Sequence, residues 1–449
     1  MTPLPVTPAV RRCTSLRELR SQSAYRLTAL KKFVILLMAS TAICSGGPTF
    51  EVAEPSGGLT LRHALALALT RSPELAVVNY DVRIAEAGVL QAKLIPNPEL
   101  EYTGENVAGG GAYSGGRLAE NTLLLGQLIE LGGKRRARIR EASFGRDLAE
   151  FDYETKKREV FLKTAQDFVD VLALQRRVAV NEDLVRLANG FVPNVVKRIE
   201  AGKASDLEKT RFDVAIGSAR IDLERARHDL ATARQRLASR WGALKPRFAS
   251  ATGNLDATPA VASLDVLARR LAASPPLARF GTEAAQREAA LAREKAAAIP
   301  DVTVQAGGRR INESDDTTAV IGLSMPLPLW NRNQGNIQAA RQRLSQTDAA
   351  RAAAAAALMT ELTDAYEKLQ QARDAIAILR ANVLPGADAA FKATSEGYEA
   401  GRFSYLDIVE ARRTVGTART QYLEALADFH KALHAVEALT VDPHPHNLP

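Results

Sequence analysis

Cysteine is almost missing from this chain of 449 residues: there are 2, Cys13 and Cys44, both ahead of the main body of the sequence. If that leading stretch is removed, no thiol remains. A cysteine nucleophile, a disulfide framework and a Cys-ligated metal are then excluded. Aromatic residues make up only 5% of the chain, beside abundant Ala and Leu, which suits long, closely packed helices rather than an irregular enzyme core. No apolar run of about 20 residues occurs, so no helix is expected to cross a membrane. The formal net charge is +8, but Lys and Arg are scattered among Asp and Glu along helical faces. A nucleic-acid footprint needs clustered positive charge, so the basic excess reads as solvated surface, with no nucleic-acid partner. There is no phosphate loop, dinucleotide fingerprint or nucleophile elbow. The glycine-rich stretch from Gly104 to Gly116 is not followed by a helix and is no phosphate cradle. The six histidines are His63, His228, His430, His434, His444 and His446. His430 and His434 share a helical face, a spacing that suits a metal, but the residues between them are Lys431, Ala432 and Leu433, without the Glu of a zinc-protease motif. The pair reads as solvated. No catalytic residue, metal ligand or cofactor is assigned, and the chain is not read as an enzyme.

The N-terminus carries a secretory pattern. Lys31 and Lys32 precede an apolar run from Phe33 to Ala39, followed by small residues up to Gly46. A basic start, a short apolar stretch and a small-residue site describe a signal peptide. Residues 1–44 are assigned to it, together with an unusually long extension in front. Cys44 is a candidate for lipidation, although Ile43 stands where a lipoprotein signal wants a small residue.

The body of the chain is a duplication, which has to be recognised before the fold is assigned. The turn Glu399-Ala400-Gly401-Arg402-Phe403-Ser404-Tyr405-Leu406-Asp407 matches an earlier one, Glu200-Ala201-Gly202-Lys203-Ala204-Ser205-Asp206-Leu207-Glu208. The segments before each turn correspond as well. Ser72-Pro73 and Ser274-Pro275 are paired helix starts, since Pro is pre-set for the first helical position. Pro96 and Pro300 are paired stops. Strands follow over Glu99–Thr103 and Thr122–Leu131 in the first half, and over Asp301–Ala306 and Thr317–Leu327 in the second, each pair joined by a long loop. Their residues alternate: Leu100 and Tyr102 against Glu99, Glu101 and Thr103; Val302, Val304 and Ala306 against polar neighbours. From Lys134 and from Gln334, helical periodicity runs to Glu200 and Ala400. At 1.5 Å per residue each such helix is roughly 100 Å long. It must pack along an equally long partner, which is the segment returning after each turn. Pro193 lies within the first long helix and is expected to bend it. The first repeat spans 59–242, a connector 243–262, the second repeat 263–440, and a disordered tail 441–449.

Four strands with one apolar face present a problem. Within a membrane only helices and closed barrels satisfy their backbone groups, and four strands cannot close. The chain is therefore expected to complete its barrel with other subunits. The alternative is a sheet covered by its own helices.

Against this background the chain resembles the TolC-like outer-membrane efflux proteins from about Leu59 to Leu439. The turn from Gly401 through Ser404, Leu406 and Asp407 to Ala411 looks like the family's second periplasmic tip, and Gly202, Ser205 and Leu207 like the first. The strings Gln127–Arg135 and Met325–Gly335 look like the cobalt-zinc-cadmium (CzcC-like) heavy-metal branch. The resemblance implies a mainly α fold with a membrane β-barrel: a homotrimer whose protomers build a twelve-stranded barrel, continued by a long α-helical tunnel into the periplasm of a Gram-negative cell. It implies a passive exit duct in the outer membrane, embedded in its lipid and partnered by a periplasmic adaptor and an inner-membrane resistance-nodulation-division pump, with heavy-metal cations as cargo. Multidrug efflux and type I secretion are alternatives within the family, and a periplasmic coiled-coil scaffold is an alternative outside it. Gly202, Ser205, Leu207, Gly401, Ser404 and Leu406 become the adaptor-docking tip. The glycines permit tight turns, the serines are expected to cap the returning helices through their hydroxyls, and the leucines are apolar anchors. Asp407 and Glu410 match the acidic ring that narrows the tunnel and share one helix face. Arg211, the first-half counterpart of Glu410, is expected to pair with it.

Overall fold

The computed structural model of the chain describes residues 53–202 and 205–440. The signal segment with Cys13 and Cys44, the tip residues Lys203 and Ala204, and the tail with His444 and His446 lie outside these described residues.

The first repeat opens with a short strand, β1 (Gly58–Thr60), and helix α1 (Leu61–Arg71), whose His63 N–H donates to the Thr60 hydroxyl at 3.3 Å. Ser72-Pro73 ends α1 and starts α2 (Pro73–Lys93). Strands β2 (Glu99–Glu105) and β3 (Glu120–Ile129) follow, then α3 (Lys134–Gly190), α4 (Val192–Glu200) and α5 (Asp206–Ser239). The connector holds β4 (Ser250–Thr252). The second repeat runs through α6 (Leu264–Ala272), α7 (Pro275–Ala297), β5 (Val302–Ile311), β6 (Asp316–Ser324) and α8 (Gln334–Ile378). A π turn (Leu379–Val383) leads into α9 (Leu384–Glu399), and α10 (Tyr405–Thr440) returns.

Both long helices are interrupted near a proline. The 57 residues of α3 end at Gly190, and Pro193 enters at the start of α4, because its ring lacks a donor and crowds the carbonyl four residues back. In the second half the break is softer. Pro385 follows the five-residue π turn, which widens the helix and relieves the same conflict without ending it.

One core holds the helices together. From α3 come Phe168, Val171 and Leu172; from α5, Leu237; from α8, Leu369 and Ile376; from α10, Leu426 and Phe429. The fully buried Phe429 contributes on the order of 3–5 kcal/mol, judged from large-to-small core substitutions. The stretch 243–262, read as a loose connector, is part of this core. Phe248 and Leu255 are fully buried in it, and β4 pairs in parallel with β1. The Glu54 carboxylate accepts from the Trp241 indole at 3.2 Å and from the Arg247 and Phe248 amides at 2.6 and 3.3 Å. Periodicity does not reveal such a segment, because its order comes from long-range pairing.

The four-stranded sheet is antiparallel throughout, in the order β2-β3-β5-β6. Register puts Leu100 beside Leu125, Tyr102 beside Leu123, Ala306 beside Ile321 and Val304 beside Leu323. This face is apolar, and its large side chains lie open. The opposite face is mixed: Leu124 and Val320 lie on it beside a paired polar network, in which Arg309 reaches Glu120 at 2.8 Å and the Thr122 hydroxyl at 3.0 Å, and Gln305 reaches Glu101 at 2.9 Å. The first hairpin has a long tip with a 3-10 segment at Gly111–Gly116. The second does not, which corrects the expectation of a long loop in both halves. β5 continues through Gly307 and Gly308, and only residues 312–315 separate it from β6. Gly307 reads as a breaker in sequence but is a contact in space. A Cβ there would lie 1.9 Å from the Leu123 carbonyl oxygen, so only glycine lets β3 and β5 approach.

Gly307→Val is expected to disrupt the pairing of β3 with β5 and lower stability by about 3 kcal/mol. Gly126→Ala, which meets the flexible Gln305 side chain at 3.3 Å and Thr303 at an ordinary 3.7 Å, serves as the near-neutral control. Thermal melting of the purified protein compares the two.

Candidate functional site at the hairpin tips

The two hairpin ends farthest along the chain from the sheet lie together. At each end the last helical turn closes on a glycine in the left-handed region, Gly202 at φ +66° and Gly401 at φ +76°. The Gly202 amide donates to Ile199 O and the Gly401 amide to Tyr398 O, which satisfies carbonyls that a helix end leaves open. Leu207 is 56% exposed and Leu406 61%, so one leucine stands free beyond each turn. Phe403 is also open.

The serines do not cap as expected. Ser205 stands at the N-cap of α5, but its hydroxyl makes no capping bond. At α10 the roles are reversed. Asp407 reaches back, and its carboxylate accepts from both the Ser404 amide and the Ser404 hydroxyl, each at 2.7 Å. This is the returning half of a capping box. The two bonds hold the Asp407 carboxyl below the usual aspartate range, the hydroxyl contributing most. Glu410 and Arg211 are both exposed, and no ion pair joins them within the protomer, contrary to expectation. The Arg211 backbone carbonyl instead accepts from the Tyr405 hydroxyl at 2.6 Å.

What binds the tips to each other is an aromatic cluster that sequence reasoning missed. Phe191, Val195, Phe212, Tyr398, Tyr405 and Ile408 form one buried group with contributions from both repeats. Phe212 meets Tyr405 edge-on at 4.4 Å and Tyr398 at 6.3 Å between centroids. The Arg198 guanidinium lies 4.4 Å from the Tyr398 ring centroid and donates to the Tyr398 carbonyl at 2.7 Å. Asn194 donates to Glu399 at 3.0 Å. Burial, with the Glu208 charge nearby, pushes the Tyr398 hydroxyl up, so it stays protonated and donates to Glu208 at 3.4 Å. The usable signal was the concentration of aromatics around the two turns in a chain otherwise poor in them. Also missed was Arg412, one of whose terminal nitrogens is buried without a partner; burial pulls its pKa down.

The histidine pair is not solvated. His430 Nε2 lies 2.9 Å from the Leu255 carbonyl, and His434 Nδ1 lies 2.9 Å from Glu437. Burial pulls the His430 pKa down. Among the described residues, no group of three or more His, Cys, Asp or Glu is placed to hold a metal.

Two copies of one helical hairpin, a four-stranded stave with an open apolar face and a shared tip can be compared with known proteins. The family profile described as outer membrane efflux protein matches residues 64–243 and 267–440. This chain belongs to the outer membrane efflux protein family. The cobalt-zinc-cadmium resistance protein CzcC of Cupriavidus metallidurans is 34% identical over 386 residues, covering 86% of this chain and 91% of that protein. The nickel-cobalt-cadmium resistance protein NccC of Alcaligenes xylosoxydans is 28% identical over 324 residues, 70% of this chain and 69% of its own length. Among solved structures, CusC superimposes with a TM-score of 0.70 at 18% identity, covering 84% of this efflux protein and 91% of CusC. The open-state MtrE channel of Neisseria gonorrhoeae gives 0.68 at 18% identity, covering 85% and 88%. These structures establish the shared fold. As a member of that family, the efflux protein is an outer-membrane component.

The start of α10 depends on ionised Asp407. Because its folded-state pKa is depressed, its stabilising contribution is present above the ordinary aspartate value of 3.8 and is lost as pH falls through the lower folded value. The Ser404 amide is expected to show a high protection factor, measured against the intrinsic exchange rate at each pH, at neutral pH and to lose it on acidification into that range. Asp407→Asn should show the low protection factor already at neutral pH; unchanged protection in that variant would refute the assignment.

Proposed function

We propose that this efflux protein is the passive exit duct of a tripartite assembly for heavy-metal cations such as cobalt, zinc and cadmium. A resistance-nodulation-division pump and a periplasmic adaptor deliver the cargo. The observation that carries the duct is the stave itself: four strands with an apolar face outward, a face behind it that carries a paired polar network, and both edges, β2 and β6, unpaired. Three copies joined edge to edge satisfy those edges and close twelve strands. The polar face then lines the bore and the apolar face meets lipid. The helices continue the bore for roughly 100 Å. The metal cargo is supported by the 34% identity to CzcC over most of both chains. The energy comes from the pump, since a duct needs no nucleotide.

In this reading the tips dock the adaptor. Gly202 and Gly401 shape the turns, Ser205 and Ser404 start the returning helices, and Leu207 and Leu406 are the apolar contacts. Asp407 and Glu410, repeated by the threefold, ring the axis with carboxylates that attract cations and repel one another. Arg211, at the matching position of the first repeat, brings a positive charge to the same end of the hairpins. Opening follows when the adaptor engages the tips and the ring widens.

Three measurements test this. Deletion of the gene is expected to raise sensitivity to cobalt, zinc and cadmium; unchanged metal tolerance with increased dye sensitivity would reassign the cargo to drugs. Leu207→Asp and Leu406→Asp are each expected to weaken adaptor binding by about 2 kcal/mol in a pull-down titration. Charge reversal at Asp407 and Glu410 is expected to change single-channel conductance more than reversal at Glu208, and equal effects would remove the ring assignment.

A further inference from the structure

Two strings singled out in the sequence, Gln127–Arg135 and Met325–Gly335, have no role in the duct as described. The structure brings them to one end of the sheet. Ile129 of β3 pairs with Val302 at the start of β5, and the neighbouring Thr303 pairs with Ser324 at the end of β6. Both strings therefore leave the sheet at its helical end.

Alternation carries the apolar face past the last strand pairs. From Leu123 and Leu125 it reaches Ile129 and Leu131 on one chain segment, and from Ile321 and Leu323 it reaches Met325 and Leu327 on the other. All of these are exposed, and Trp330 is 86% exposed. Pro326 and Pro328 keep the second segment extended. Tryptophan with an apolar body and a free indole donor favours the boundary between hydrocarbon and water.

Just beyond this band, the first two turns of α3 carry Lys134, Arg135, Arg136, Arg138 and Arg140. Two of the five are neutralised. Lys134 meets Asp301 at 2.7 Å and Arg138 meets Glu130 at 2.5 Å. Glu130 follows Ile129 and so points to the polar face of the sheet; its partner Arg138 lies on that side. Arg136 and Arg140 are each two residues from Arg138, about 200° around the helix, which puts them on the apolar side. Arg135, Arg136 and Arg140 line an open groove with Gly133 and Ile139. Arg135 donates to the Lys93 carbonyl at 2.8 Å, and Arg140 lies 5.8 Å from the Phe144 ring centroid. Among the described residues no carboxylate pairs with any of the three. Cations in the first turns also oppose the helix dipole, so helix stability does not account for them.

We propose that this groove binds the phosphate groups of anionic phospholipid in the leaflet on the helical side of the membrane, with Trp330 seated at the same depth. Planar guanidinium groups take phosphate oxygens two at a time. The apolar band directly above supplies the place for the acyl chains of the same lipid. A free phosphate has no use for that band, which is why the lipid is the occupant. The inference rests on the outer-membrane placement above.

The test uses the full chain purified in detergent. Binding of phosphatidylglycerol and phosphatidylcholine is followed by native mass spectrometry for the natural sequence, for Arg136→Gln with Arg140→Gln, and for Arg136→Lys with Arg140→Lys. Removing both charges is expected to weaken phosphatidylglycerol binding about 30-fold. It leaves phosphatidylcholine unchanged, and the lysine variant stays close to the natural sequence. Equal phosphatidylglycerol binding in the glutamine variant, or its displacement by inorganic phosphate, overturns the proposal. A second measurement separates the site from the placement: quenching by brominated lipid in phosphatidylglycerol vesicles, taken as the difference between the natural sequence and Trp330→Phe. Absent quenching removes the membrane placement and the site together. Quenching with unaltered lipid binding in the glutamine variant removes the site alone.

Discussion

An unpaired strand edge in hydrocarbon has no partner for its N–H and C=O groups, and each one left open costs several kcal/mol. The efflux protein carries two such edges, on β2 and β6. Neither is covered by its own helices, and the face between them is apolar. The protomer is therefore incomplete as an object in a membrane. On the face behind the apolar one, Arg309, Glu120, Thr122, Gln305 and Glu101 are already paired with one another, so these groups demand nothing from a partner and suit a wet bore. Under the proposed closure by identical copies, the strands must match across the joins and the helices must continue the circle below them.

Far from the sheet the demand is the opposite one. A tip in the proposed docking role needs exposed groups on a firm base. Leu207 and Leu406 are open, while the aromatic group beneath them joins both repeats. Tyr398 and Tyr405 each bring a ring to the core and a hydroxyl to the opposite hairpin. The first and second tips are therefore mechanically joined within a protomer, and a push on one leucine is felt by both hairpins.

Much of this was legible in the sequence because it rests on local chemistry. Ser72-Pro73 and Ser274-Pro275 restart helices through the fixed φ of proline, and Gly202 and Gly401 mark turns that side chains resist. Alternation gave the strand faces correctly at Leu100, Tyr102, Ile321 and Leu323. What was not legible depends on contacts distant in sequence. Gly307 looks like a loop residue until the Leu123 carbonyl is placed against it. Phe248 and Leu255 lack periodicity because they enter the core from an irregular segment. Ser205 and Ser404 are alike in sequence, yet only Ser404 has an acid placed to reach back to it through the local geometry of the turn. Arg211 and Glu410 occupy matching positions in the two repeats, but correspondence by duplication does not bring two side chains into contact.

The π turn at Leu379–Val383 sets the phase of everything beneath it. Above it, the buried residues of the helix step by alternating threes and fours: Leu362, Ala365, Leu369, Ala372, Ile376, Leu379. Continued without interruption, that sequence of steps would call on Val383, Gly386 and Ala390. The residues that pack inward are instead Leu384, Ala387 and Phe391, each one position later, and Tyr398 follows in the same shifted frame. One extra residue in this single turn has moved the inner stripe by one place. A helix wound evenly through this point would rotate its lower part by about 100° and carry Phe391 and Tyr398 away from the opposite hairpin. The wide turn acts as a vernier between two packing frames, one dictated by the main core and the other by the tip.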